Sequence, residues 1–203
     1  MPHDIVDNRS ECLVDHIKQI LPTAEQAKIA VGYFFLSGFE SISANIDNIK
    51  KMRLLIGNTT SRETIEQISE GYKRLDLAQA AEEKERFLTR SDQKSRKVDT
   101  SQNIQRSIEL MDQTDNAESL IHKFIKMIED ERLEVHLYTK GRLHAKAYIF
   151  DYPAEGHYEP GIAIVGSSNL TLAGLTHNTE LNVIVHGTEN HHQLSVWFEE
   201  LWK

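Results

Sequence analysis

The chain has 203 residues, 39% of them hydrophobic and 27% charged, with a formal net charge of −8 at pH 7. That length suits one domain with a core of its own. The acidic balance excludes a protein that coats nucleic acid with a broadly basic surface, though not one with a local basic cleft.

Cys12 is the only cysteine, which excludes an intrachain disulfide and a cysteine-rich zinc site. On an amphipathic helix it reads as a buried thiol. The N-terminal stretch is polar and charged, without the apolar run and small-residue cleavage site of a secretory signal. No run approaches the ~18 apolar residues of a membrane span. The sequence therefore predicts a soluble, cytoplasmic protein that does not engage membranes.

Asn8 or Ser10 is placed to cap a first helix with Leu13, Val14, Ile17, Ile20 and Leu21 on its apolar face, ended by Pro22. Residues 29–35 (IAVGYFF) predict a buried strand, and Leu36, Ser37 and Gly38 a turn. Phe39, Ile42, Ile46 and Ile49 then recur at helical spacing, and residues 52–56 predict a second buried strand. Strand, helix and strand with short connections make a right-handed crossover, so the sheet should be at least partly parallel.

Residues 58–132 are rich in Glu, Lys, Arg, Gln and Ser and contain no proline. Ile65, Ile68, Tyr72 and Leu75 mark one helical face, Ile104, Ile108 and Met111 a second, and Leu120, Ile121, Phe124 and Ile128 a third. Residues 82–100 between them read as a solvated, charged stretch. The segment predicts a helical insertion that wraps the sheet or contacts a partner chain.

Beyond it, residues 133–138 and 142–150 predict two strands joined by a turn at Lys140 and Gly141, a hairpin. A loop over 151–161 leads to a strand at 162–165, antiparallel to its predecessor. A short helix at 170–175, a last strand at 180–186 and a final helix at 190–202 complete the series. The final helix runs to the last residue without a stop signal, which suggests a piece of a longer polypeptide or a helix completed by a neighbour. The fold class expected is α/β, a mixed β-sheet flanked by helices, in a single domain over residues 1–203.

Residues 141–182 concentrate the chemistry. His144 and Lys146, two apart on a strand, would point to one face. Asp151 follows five residues after the lysine. The next apolar run ends in Gly166, Ser167, Ser168 and Asn169, and Glu180 opens the last one. A chance His-x-Lys-x4-Asp match arises in roughly one chain in a hundred of this length, and the nearby Gly-Ser-x-Asn lowers that sharply.

Together these residues resemble the phospholipase D superfamily, whose motif is His-x-Lys-x4-Asp followed by Gly-Ser-x-Asn. The resemblance is strongest over residues 141–186, weaker over 29–57, and absent from the insertion. It implies a phosphodiester-cleaving site without a metal or other cofactor. An imidazole is nucleophilic at neutral pH and leaves readily once phosphorylated. A second, protonated imidazole can give its proton to the departing oxygen. Lysine and asparagine donors can take the place of a metal at the non-bridging oxygens.

The family's site uses two such motifs, and this chain has one. The resemblance therefore implies a homodimer in which two His144 side chains share one active site. His144 would be nucleophile in one subunit and acid in the other. Lys146, Asn169 and Ser167 would hold the phosphate oxygens. Glu180 would accept the second ring N–H of His144 and fix its tautomer. Asp151 and Gly166 would be structural members of the motif, with Asp151 ordering the loop after its strand. His136, His157, His177, His186, His191 and His192 show no metal-ligand spacing.

A soluble chain with one motif looks like the nuclease branch, and a chain that stops within a helix, beside a charged helical insertion, looks like the phospholipase D-like domain at the N-terminus of some large bacterial helicases. The expected substrate is DNA, held in a cleft that gathers Lys140, Arg142 and Lys146. Two other readings are a catalytically silent DNA-binding or dimerisation module of a helicase, and a phospholipase or phosphatidyl transferase.

Overall fold

The long apolar runs of the sequence become a single twisted sheet. A computed structural model describes residues 4–57 and 115–203. Its strands are β1 (Ile5–Val6), β2 (Gln26–Val31), β3 (Lys51–Gly57), β4 (Leu133–Tyr138), β5 (Ala147–Asp151), β6 (Gly161–Gly166) and β7 (Asn182–Val185). They lie in the order β1-β7-β6-β5-β2-β3-β4. The helices are α1 (Leu13–Ile20), α2 (Leu36–Ile42), α3 (Asp115–Glu129), α4 (Leu172–Thr176) and α5 (Thr188–Trp202). The chain divides into two compact units, Met1–Thr59 with Glu134–Lys203, and Thr60–Leu133.

In the first unit β2 and β3 run parallel through the α2 crossover, while β5 is antiparallel to β2 and β6, and β7 to β6 and β1. The sheet is mixed and flanked by helices, as the sequence predicts. Ala27, Ile29, Ala30 and Val31 of β2 and Ile149 and Phe150 of β5 are buried, so these strands take central places. In β4, buried Leu133 and Val135 alternate with partly exposed Glu134 and His136, the pattern of a strand at an edge.

That difference overturns the predicted hairpin. β4 lies outside β3, and β5 is inserted between β2 and β6, so two strands separate the supposed partners. The strand expected over 142–150 is also shorter, beginning only at Ala147. The last strand likewise begins at Asn182, leaving Glu180 ahead of it.

Asn8 does cap α1, from outside the helix: its Oδ1 accepts the Leu13 N–H at 2.9 Å, while its Nδ2 donates to Gly174 O at 2.9 Å. One asparagine, in the left-handed region at φ 60, thereby ties α1 to the middle of α4. Cys12 is half-buried rather than buried, with Sγ donating to Thr176 O at 3.5 Å.

The predicted turn at residues 36–38 is instead the first turn of α2. Gly38 there is required by contact, because a Cβ would come within 2.5 Å of Leu170 carbonyl atoms. Ile46 and Ile49 are buried although the helix has given way to a short 3-10 turn.

On the other side α5 packs Phe198 into a cluster with Ala30, Leu55, Leu143, Ile149 and Ala163. The Arg53 guanidinium lies 5.4 Å from the Phe198 ring and 5.5 Å from Trp202 while pairing with both Glu199 oxygens. His136 stacks on Trp202 at 3.9 Å.

In the second unit, the third predicted helical face falls on α3, whose C-terminus closes through Glu131 in the left-handed region at φ 55. The other two predicted faces and the charged stretch 82–100 lie outside the described residues. Among the described residues no helix is long and apolar enough to cross a membrane.

Candidate active site

Strand register decides which loops meet. Ala30 pairs with Ala147, Ala147 with Val165, and Val165 with Val183. The end of β2, the lead-in to β5, the end of β6 and the lead-in to β7 therefore share one end of the sheet. Gly32 and Tyr33, residues 143–146, residues 166–169 and residues 180–181 all emerge there.

His144 and Lys146 lie on the lead-in to β5, ahead of its ladder. His144 is exposed, whereas Lys146 is only 5% exposed and its Nζ donates to the His144 carbonyl at 2.8 Å. Burial pushes the Lys146 ammonium below the usual lysine range, opposed by Glu180 and the Tyr33 hydroxyl.

Asn169 leaves β6 beside them. Its Oδ1 accepts the Tyr33 N–H at 2.9 Å, which leaves the amide Nδ2 as the donor available to a ligand. Gly32 forms the floor between the two donors. A Cβ there would stand 3.3 Å from Leu143 O, 3.4 Å from Asn169 Oδ1 and 3.9 Å from Lys146 Nζ.

Ser167 is exposed, and its hydroxyl donates to Glu180 Oε2 while accepting the Leu181 N–H at 3.0 Å. Glu180 also accepts from Asn178 Nδ2 at 3.4 Å. The glutamate is thus bonded to Ser167 and Asn178, not to the ring of His144, and acts on Lys146 through its charge.

Gly166 has no room for a side chain: a Cβ would meet Asn182 Oδ1 at 2.3 Å and Leu181 O at 2.4 Å. Beneath it Asn182 Nδ2 donates to Ser168 Oγ at 2.9 Å, and the buried Tyr148 hydroxyl donates to Ser168 O at 3.0 Å. These buried bonds hold the Gly-Ser-Ser-Asn turn from below.

Asp151 stands at the opposite end of β5. Its Oδ2 is 2.7 Å from Lys28 Nζ and its Oδ1 is 3.1 Å from His191 Nε2. Burial pushes the Asp151 carboxyl up, but His191 and Lys28 outweigh it and hold the group below the usual carboxylate range. His191 Nε2 is also 3.2 Å from Phe150 O, and Lys28 Nζ donates to Ser195 Oγ at 3.4 Å. Asp151 therefore fastens β2 and β5 to α5. Lys140 and Arg142 are exposed on the segment leading to His144.

Among the candidate residues, the sheet end gathers Lys146, Asn169, Ser167 and Glu180, with His144 on the same lead-in as Lys146, and leaves Asp151 outside. Gly32, Tyr33 and Asn182 were not singled out from sequence. The glycine inside the apolar run 29–35 was the available signal, since a strand glycine often marks close backbone approach. Among the described residues no group of three or more His, Cys, Asp or Glu side chains is gathered closely enough to hold a metal ion.

Residues 17–202 match the family described as “Cardiolipin synthase, PLD-like domain”. The chain belongs to this phospholipase D-like family. No curated protein matches it. Among solved structures it is similar to NucT from Helicobacter pylori, at 14% identity and a TM-score of 0.47, covering 98% of this chain and 93% of that one. Nuc from Salmonella typhimurium, a phospholipase D family member, is 10% identical with a TM-score of 0.47, over 93% of this chain and 85% of that one. The archaeal chromatin protein TrmBL2 is 14% identical with a TM-score of 0.45, over 98% of this chain and 51% of that one.

Proposed function

We propose that the chain is a metal-independent phosphodiesterase acting on DNA as an endonuclease, in a homodimer that completes one shared site. The observation that carries this reading is the convergence of Lys146 Nζ and the Asn169 amide over Gly32, beside exposed His144. A buried ammonium and a fixed amide donor form a pocket for non-bridging phosphate oxygens.

In this reading one His144 nitrogen attacks phosphorus, and the bond to the leaving oxygen breaks. The protonated His144 of a second copy gives that oxygen its proton. Water then attacks the phosphohistidine, the neutral second histidine takes a water proton, and the phosphorus–nitrogen bond breaks. Both rings return to their starting state.

Glu180 keeps Lys146 cationic against the cost of burial, and it lies bonded to Ser167 until substrate arrives. Lys140 and Arg142 supply the basic approach that an acidic protein needs. Residues 58–132 are carried as an insertion in a single phospholipase D-like domain. The resemblance to helicase-associated domains gives a helicase as the proposed working partner, in the cytoplasm.

Incubation with plasmid DNA and with phospholipid vesicles, both in EDTA, tests the reading. Nicking of DNA that disappears in His144→Ala is the expected result. A requirement for divalent metal, or full activity from a strictly monomeric protein in sedimentation, would overturn the mechanism. DNA binding without any turnover would favour a silent module.

A further inference from the structure

The segment just past β2 carries an arrangement that phosphate binding alone does not use. Tyr33 is 39% exposed, Phe34 is buried, and Phe35 is 37% exposed. Phe34 bridges Leu170 in parallel, and the Phe35 N–H donates to Leu170 O at 3.1 Å. The Tyr33 N–H holds Asn169 Oδ1 at 2.9 Å. An extended segment stitched this way is rigid, and its alternation puts two aromatic rings on the outer side and one in the core.

Tyr33 borders the phosphate pocket, and Phe35 is tied through its backbone to Leu170, the residue after Asn169. The Tyr33 backbone fixes Asn169, the Tyr33 hydroxyl acts on the Lys146 ammonium, and Gly32 contacts the 143–146 lead-in. Burying Phe34 while leaving Tyr33 and Phe35 partly exposed puts two aromatic side chains on the segment that adjoins the pocket.

We propose that Tyr33 and Phe35 are a base-stacking platform, and that the strand bound at the Lys146–Asn169 pocket is single-stranded nucleic acid with its bases unpaired. Residues two apart on an extended segment are ~6.6 Å apart. That is about twice the 3.4 Å step of stacked bases along one strand of a duplex. That spacing suits bases drawn apart, whereas a duplex keeps its faces stacked and inaccessible. Charge favours the same occupant, since Lys146, Lys140 and Arg142 follow a phosphate backbone while the rings take the bases. The assignment rests on the phosphodiesterase reading for the pocket it adjoins.

The test uses the intact chain carrying His144→Ala, so that bound strands survive. Affinity is measured by fluorescence anisotropy for a short oligothymidylate, for an abasic strand with the same number of phosphates, and for a duplex. Phosphatidylglycerol vesicles are assayed by flotation. The base-bearing strand should bind at least ~10-fold tighter than the abasic one. Adding Tyr33→Ala or Phe35→Ala should cut that ratio by at least about 5-fold, toward one, and Tyr33→Phe should preserve it.

Taking the ratio separates stacking from any general loss of folding or of phosphate contacts. Equal binding of the two strands, an unchanged ratio in both alanine variants, or preference for the duplex would overturn the platform. Binding to vesicles that the alanine variants abolish would assign the rings to a lipid surface and overturn it as well. Wild-type hydrolysis of a chromogenic phosphodiester that carries no nucleobase is read separately. Its failure removes the phosphodiesterase reading, whereas its success with a ratio of one removes only the platform.

Discussion

Lys146 and Asp151 belong to one five-residue-spaced motif, yet they face different partners from opposite ends of β5. The lysine bonds to the His144 carbonyl at 2.8 Å, and the aspartate pairs with Lys28 at 2.7 Å. Spacing along a strand therefore sets one residue in the candidate site and the other in a buried ion pair.

Asp151→Asn should destabilise the fold by on the order of 3 kcal/mol, because Lys28, itself only 8% exposed, loses its counter-charge. The folded variant should keep its turnover per molecule. Asp151 is held below its ordinary 3.8, so the stability it adds is complete above that value and is lost as pH falls through the lowered one. Urea melts between pH 5 and pH 2 should therefore show a steeper loss for the wild type than for Asp151→Asn. Parallel curves would remove the ion-pair assignment.

The buried lysine gives a second pH signature. With Lys146 held below its ordinary 10.5, mainly by burial, its positive charge is lost before that pH is reached. Binding of a phosphodiester by His144→Ala should weaken on the alkaline side, beginning below pH 10.5. Lys146→Arg in the same background should lose that limb, since a guanidinium stays protonated. An affinity flat to pH 10.5 would mean that the ammonium does not hold phosphate.

Asn169 offers the cleanest test of the donor pair. Asn169→Ala removes the amide and leaves the Tyr33 N–H without its acceptor, and it should lower kcat by about 10²- to 10³-fold. Single-turnover rates should fall with it while thermal stability changes little, because Asn169 is only partly buried. A fall confined to KM would assign the residue to ground-state binding.

Gly166→Ala should disturb fold and site together. The new methyl would lie 2.3 Å from Asn182 Oδ1, so β6 and β7 must part locally, at a cost of roughly 2 kcal/mol. The shift passes directly to Ser167 and Glu180. Chemical denaturation and kcat/KM should both report it, and a variant normal in both would show that the turn is slack.

The sheet's parallel crossover was legible because residues 29–35 and 52–56 are apolar without a break, a pattern that demands cover on both faces. The strand order was not. Residues 133–138 and 142–150 look like hairpin partners because a Lys-Gly turn joins them. Half-exposure sends β4 to the edge, and the need to cover β2 on its other side draws β5 inward. His144, Lys146, Asn169 and Glu180 stand out by residue type. Tyr33 does not, because what it gives Asn169 is a backbone N–H, and every residue except proline has one. The partners of Asp151 were equally hidden, since Lys28 and His191 are remote in sequence and join it only through packing.

The bond between Tyr33 and Asn169 spans 136 positions of the chain, with the whole 60–133 unit lying between. Long loops are costly chiefly in time: each doubling adds only about 0.6 kcal/mol of closure entropy, but non-local pairings slow the search for the native state. During synthesis β2 and β3 emerge early and must wait for β5 before their exposed side is covered. The pocket is accordingly among the last features to appear, since a chain that has not yet reached Asn169 lacks one of its two donors.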